Sequence, residues 1–199
     1  MTWNGHTVIL GRTGSGKSYY VTQTYVRERY LSNKAIMYWQ GGHDNITLPV
    51  PYLSVNGRDD TKKILAVLDS KKHVVCYTPA IEQKIADQEL KYWQQKFMSA
   101  ERDLVIVVDE AQRYAPQGSI DTACHLLATG GRRWGISCVF ICQRVAELSK
   151  TIATQCMNWI IFEHSSIDTE YLRQRGIEIS DYEVDTLRKV KYKHLKKEL

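Results

Sequence analysis

A phosphate-binding loop set between a strand and a helix constrains this chain more than any other feature. Thr7 to Leu10 form a short apolar run, and Gly11-Arg12-Thr13-Gly14-Ser15-Gly16-Lys17-Ser18 follows at once. A helical stretch then runs from Lys17 to about Leu31. The pattern G-x-x-x-x-G-K-S in this context has a physical reading. Its glycines let the backbone curl around a phosphate without Cβ clashes. Successive N–H groups of residues Gly11 to Ser18 then converge on phosphate oxygens at a helix N-terminus. Lys17 places a cation on the β- and γ-phosphates, and the Ser18 hydroxyl can ligate Mg²⁺. ATP with Mg²⁺ is the expected ligand.

The rest of the chain continues the alternation. Ala35 to Trp39 reads as a second strand closed by Gly41-Gly42, and a loop with Pro49 and Pro51 leads to Asp59-Asp60, a helix cap before Ile64, Leu65 and Leu68. His73 to Tyr77 is a third strand. Ile81, Ile85, Tyr92, Trp93 and Phe97 recur at helical spacing, so 80–98 is expected to be a helix. Leu104 to Val108 is a fourth strand, Ser119 to Thr129 a short helix stopped by Gly130-Gly131, and Ile136 to Cys142 and Trp159 to Phe162 two further buried strands. Continuous apolar strands alternating with helices indicate an α/β fold, a mainly parallel central sheet with helices on both faces. Trp39, Trp93 and Trp159 fall in apolar periodic segments and belong to the core. Tyr19 and Tyr20, at the start of the first helix, are read as packing residues, the alternative being that one of them faces the nucleotide base.

Composition narrows the class. With 199 residues, 43% of them hydrophobic and 25% charged, the chain can bury a core, which excludes dominant disorder. No apolar run approaches the roughly 20 residues of a membrane helix, so membrane insertion is not expected. No secretory signal precedes the first strand. Five cysteines, Cys76, Cys124, Cys138, Cys142 and Cys156, form no C-x-x-C pair, and no histidine has zinc-ligand spacing. An odd count without a signal indicates a reducing, intracellular compartment. Residues 188–199 hold six Lys or Arg and one Glu, the whole net charge of +5. The division expected is an ATPase domain over 1–187 and a basic C-terminal tail over 188–199. The tail is a frayed or helical terminus, or an arm that touches nucleic acid phosphates.

A second chemical signal lies at the fourth strand. Five apolar residues, Leu104 to Val108, are followed by Asp109 and Glu110. A buried strand cannot hold free carboxylates, so both acids emerge at its C-terminal end, where ligands bind in open α/β sheets. Asp109 is placed to hold the Mg²⁺ shell. Glu110 is the natural base for a water attacking the γ-phosphate. Together with the phosphate loop, the pair implies nucleoside triphosphate hydrolysis.

Three further segments carry a family likeness. Asp109-Glu110-Ala111-Gln112-Arg113-Tyr114-Ala115-Pro116 precedes a helix; Gly131-Arg132-Arg133-Trp134-Gly135-Ile136-Ser137 leads into a strand; Gln143-Arg144 ends that strand. Their order and spacing resemble the FtsK/HerA superfamily of DNA-pumping ATPases over residues 6 to about 165. Among these the chain is most similar to the genome-packaging branch of membrane-containing icosahedral viruses. Gln112 stands where cellular relatives often carry His, and Val145 where Pro usually follows Gln-Arg. The resemblance implies a RecA-like P-loop NTPase fold. It makes Gln143 the sensor of the γ-phosphate, and Arg132, in preference to Arg133, the arginine that acts in trans on a neighbouring subunit. It further implies a homo-oligomeric ring, hexameric by likeness, that drives double-stranded DNA into a capsid. Capsid or membrane-vertex proteins would be its partners, and the host cytoplasm or the virion its location. A cellular or plasmid translocase for repair or transfer, and a nucleotide-gated assembly protein that moves no DNA, are the alternatives.

Overall fold

The computed structural model describes residues 5–41, 46–57, 61–70 and 73–198. Its strands are β1 His6–Leu10, β2 Ala35–Trp39, β3 Leu53–Asn56, β4 Val74–Thr78, β5 Leu104–Val108, β6 Ile136–Cys142, β7 Cys156–Ile161 and β8 Leu195–Glu198. They form one sheet in the order β3-β4-β2-β5-β6-β1-β7-β8. Pairing is parallel throughout except between β7 and β8. β1, β2 and β5 are buried along their whole length, because helices or loops cover both faces.

Side chains alternate between the two faces, as strand geometry requires. Val8, Leu10, Met37, Trp39, Ile106 and Val108 face one core, which also takes in Ile64, Trp93, Leu127 and Ile152 from the helices Thr61–Asp69, Gln83–Phe97, Ala123–Gly130 and Lys150–Gln155. Ile9, Ile36, Tyr38, Val105 and Val107 face the other. There the helix after the phosphate loop supplies Tyr20, Val21, Tyr25 and Val26. That helix is α over Lys17–Tyr20, π over Val21–Val26 and α again over Arg27–Leu31. The three expected core tryptophans are buried. All five cysteines are buried and free, and burial raises their thiol pKa values, that of Cys76 to about 11. Among the described residues, no helix is long and apolar enough to cross a membrane.

Several boundaries differ from expectation. The short helix starts at Ala123, because Thr122 and His125 form a capping box at its N-terminus. The α-helix ends at Gly130 with Gly131 as its C-cap, at the glycine pair expected to stop it. The chain tightens into a 3₁₀ turn over Gly131–Trp134 and breaks at Gly135, φ 72°, where a Cβ would strike the Arg102 carbonyl. Asp59, Asp60 and Gly42 lie outside the described residues. The basic segment is neither frayed nor one helix. Arg188 and Lys189 end the helix Asp181–Lys189, and Leu195–Glu198 pair as β8 with the open edge of β7. Lys197 meets Glu183 at 2.7 Å there. The sheet therefore extends past residue 187, where the sequence reading ended the ATPase domain.

Candidate active site

The phosphate loop leaves the C-terminal end of β1 between β6 and β7. Its first residue donates from Gly11 N to the Cys142 carbonyl at 3.3 Å, and Arg12 N donates to the Glu163 carbonyl at 2.8 Å. The Arg12 guanidinium also pairs with the Glu163 carboxylate at 2.8 Å. Gly11 must be glycine, because a Cβ would lie 2.6 Å from Phe162 Cβ and 2.7 Å from Ser15 Oγ. Gly14 and Gly16 take φ of 78° and 100°, the left-handed region that glycine enters without penalty. Lys17 is buried, and its ammonium donates to the carbonyls of Gly11 and, at 3.0 Å, Arg12. Burial lowers its pKa, against the opposing pull of Cys142, Glu110 and Asp109. Two carbonyls compensate a buried cation weakly, and a polyphosphate anion would do so fully. The Ser15 hydroxyl is buried with no hydrogen-bond partner among the described residues.

The acids stand at the end of β5, two strands from β1. Asp109 N donates to the Trp39 carbonyl at 3.0 Å, and Asp109 Oδ1 accepts from Glu110 N at 3.0 Å. Glu110 takes φ 51°, ψ 46°, a left-handed conformation uncommon outside glycine. Gly41, at the end of neighbouring β2, leaves room for this kink, since a Cβ there would run into the Asp109 carbonyl. Both carboxylate oxygens of Glu110 accept hydrogen bonds, Oε1 from Gln143 Nε2 at 2.7 Å and Oε2 from Gln112 Nε2 at 2.5 Å. Gln143 Oε1 accepts from Thr13 Oγ1 at 3.0 Å. A continuous chain, Thr13–Gln143–Glu110–Gln112, thus joins the phosphate loop to the ends of β6 and β5. In sequence Gln112 is marked only by its departure from a pattern, and the structure places it on the carboxylate. Ser18 Oγ and the Asp109 carboxylate are hard oxygen donors. Such a pair suits Mg²⁺, which takes one or two protein ligands and completes its shell with phosphate oxygens and water.

Arg132 lies elsewhere. Its turn precedes β6, so it sits at the opposite end of the sheet from Lys17, about 20 Å away at the rise of a strand. The guanidinium contacts Gln155 Oε1 at 3.4 Å and Met157 Sδ at 3.9 Å. Arg133 is exposed on the same turn. Neither reaches its own phosphate loop. Tyr20 packs as expected, at 5.8 Å from Phe162 and 4.7 Å from His194, ring centre to ring centre. Tyr19 does not pack and is 73% exposed.

A mainly parallel sheet with this loop at the end of β1 and an acidic pair at the end of β5 defines the P-loop NTPase fold. Solved structures of similar fold include the genome packaging NTPase B204 from Sulfolobus turreted icosahedral virus 2. With sulfate bound it has TM-score 0.71 and 18% identity, over 100% of this chain and 92% of that one. In complex with ATP-gammaS the values are 0.70 and 19%, over 100% and 93%. The pCW3 conjugation coupling protein TcpA aligns with TM-score 0.62 and 15% identity, over 98% of this chain and 57% of that one. No protein-family model matches the chain, and no curated protein matches it.

Proposed function

We propose that this chain is a Mg²⁺-dependent ATPase that works as a homo-oligomeric ring and translocates double-stranded DNA into a viral capsid. The observation that carries the reading is the Glu110 carboxylate, held by amides from two loops beside a buried P-loop lysine. Lys17 and the loop N–H groups hold the β- and γ-phosphates. Glu110 accepts the proton of the water that attacks the γ-phosphorus, and Gln143 and Gln112 orient its carboxylate. Gln143 also contacts Thr13 in the loop, so a change at the γ-phosphate reaches Glu110 through one side chain. Ser18 and Asp109 would hold Mg²⁺, which supplies charge neutralisation across the phosphates. Arg132, too far from its own site, serves the neighbouring subunit, where a guanidinium offsets charge developing in the transition state.

The DNA part of the proposal rests on the order of the four motif segments and on a fold shared along the whole chain with a genome packaging NTPase. ATP hydrolysis measured with and without linear double-stranded DNA, across protein concentration, tests it. Stimulation by DNA and specific activity that rises with concentration are expected. DNA-insensitive hydrolysis would favour the nucleotide-gated assembly protein, and no hydrolysis at all would remove the site assignment.

A further inference from the structure

The phosphate loop accounts for the charged end of a nucleotide and leaves its base unassigned. Beside the loop lies a cavity of about 600 Å³ lined by Gly14, Gly16, Lys17, Ser18, Tyr19 and Tyr192. Its size suits a small ligand. Tyr192 comes from the turn before β8, 175 positions after Lys17 in sequence. Three features bring it there. The pairing of β8 with β7 fixes the chain from Leu195 onward. His194 packs on Tyr20 at 4.7 Å and on Phe162 at 5.1 Å. Lys193 N donates to the Val190 carbonyl at 3.1 Å, closing a turn in which Tyr192 takes φ 63°.

That backbone conformation is an outlier for a bulky aromatic residue, and its outcome is an aromatic ring left 57% exposed against the phosphate loop. The fit is close. A Cβ on Gly16 would lie 2.8 Å from Tyr192 Cδ1, so Gly16 admits this ring as well as the phosphate. Tyr19, the residue after Ser18, is 73% exposed and lines the same cavity. Two exposed rings beside the start of the loop's helix, where the chain of phosphates would end in its nucleoside, offer a flat ligand a surface to stack on, and Lys191 Nζ stands 4.9 Å from the centre of the Tyr192 ring.

We infer that Tyr192, with Tyr19, forms the nucleobase subsite, stacking on the purine ring of the nucleoside triphosphate whose phosphates Lys17 holds. The inference rests on the nucleotide reading of the loop. Stacking uses the π-face that every base has, so these rings supply affinity more than choice of base.

The test compares two probes in the presence of Mg²⁺, a non-hydrolysable ATP analogue and inorganic tripolyphosphate. Tyr192→Leu keeps bulk and removes the π-face. It should weaken the analogue about tenfold, the loss of one base–aromatic stack, and leave tripolyphosphate affinity unchanged. Tyr192→Phe should bind the analogue within about twofold of wild type, since the ring is kept. Lys17→Ala should weaken both probes. Equal losses for both probes in Tyr192→Leu, or no loss for either, would overturn the subsite while leaving the loop assignment standing. A wild-type protein that binds neither probe would overturn both.

Discussion

Replacing Glu110 by Gln isolates basicity from shape. Glu110 is half-buried and accepts one hydrogen bond on each oxygen, from Gln143 at 2.7 Å and from Gln112 at 2.5 Å. A carboxamide has a single acceptor oxygen, so its NH₂ faces one of the two incoming NH₂ groups. If Gln143 turns over to resolve this, its contact with Thr13 must be remade with the hydroxyl accepting. One bond to a charged acceptor is lost, a cost of about 1–3 kcal/mol, at the lower end because the site is partly open to water. Nucleotide binding should persist, because Lys17 and the loop hold the phosphates, and removing a negative charge beside them does not weaken an anion. Turnover should fall by about 10²–10⁴, the usual worth of a general base, or about 3–5 kcal/mol at 1.36 kcal/mol per tenfold. Phosphate release at saturating ATP reads the rate, equilibrium binding of a labelled analogue reads affinity, and thermal melting checks the fold. A folded variant with near-native hydrolysis would refute the role of Glu110, and so would a parallel loss of binding and turnover.

Arg132→Ala should lose turnover while each subunit still binds ATP, and mixing it with Lys17→Ala subunits should restore part of the activity. Mixed rings that form and stay inactive would exclude a trans role, and Arg133→Ala should be the milder change. Replacing the exposed Arg188, Lys191 and Lys193 by Gln should reduce the log–log salt slope of DNA binding by up to about 2.7 if all three meet phosphates, at about 0.9 each. These substitutions spare β8, whereas truncating at 188 would remove an edge strand; equal slopes would show that the basic segment does not touch DNA. His6 is buried, and burial first, then the Arg132 charge, lowers its pKa to about 4. The unfolded chain binds this proton below pH 6.5 and the fold does not, so this contribution is complete above 6.5 and is lost as pH falls toward 4, by about 3 kcal/mol. Melting curves at pH 7, 5 and 4 should fall less steeply for His6→Gln than for wild type, and identical slopes would contradict the assignment.

Buried central strands announce themselves in sequence, and edge strands do not. β2, β5 and β6 were legible to the residue because both their faces need apolar cover. β3 (LSVN) and β8 (LKKE) are covered on one side, so polar residues interrupt them and no apolar run betrays them. Ser180 and Glu183 form a capping box at the start of the helix Asp181–Lys189, a local S-x-x-E signal legible in the sequence. The phosphate loop and the acidic pair were legible because each is local. The chain Thr13–Gln143–Glu110–Gln112 was not, because it joins residues 130 and 33 positions apart through the order β5-β6-β1. Tyr192 was hidden for the same reason, since only the pairing of β8 carries it to the loop.

Displacement of a third strand from a triplex on linear double-stranded DNA tests directly whether hydrolysis at this site moves DNA. Wild-type protein with ATP and Mg²⁺ should strip the third strand at a rate that depends on ATP. Glu110→Gln, which binds ATP without turning it over, should leave the triplex in place. A wild-type protein that hydrolyses ATP in the presence of DNA yet never displaces the strand would contradict the proposal that this P-loop site drives translocation.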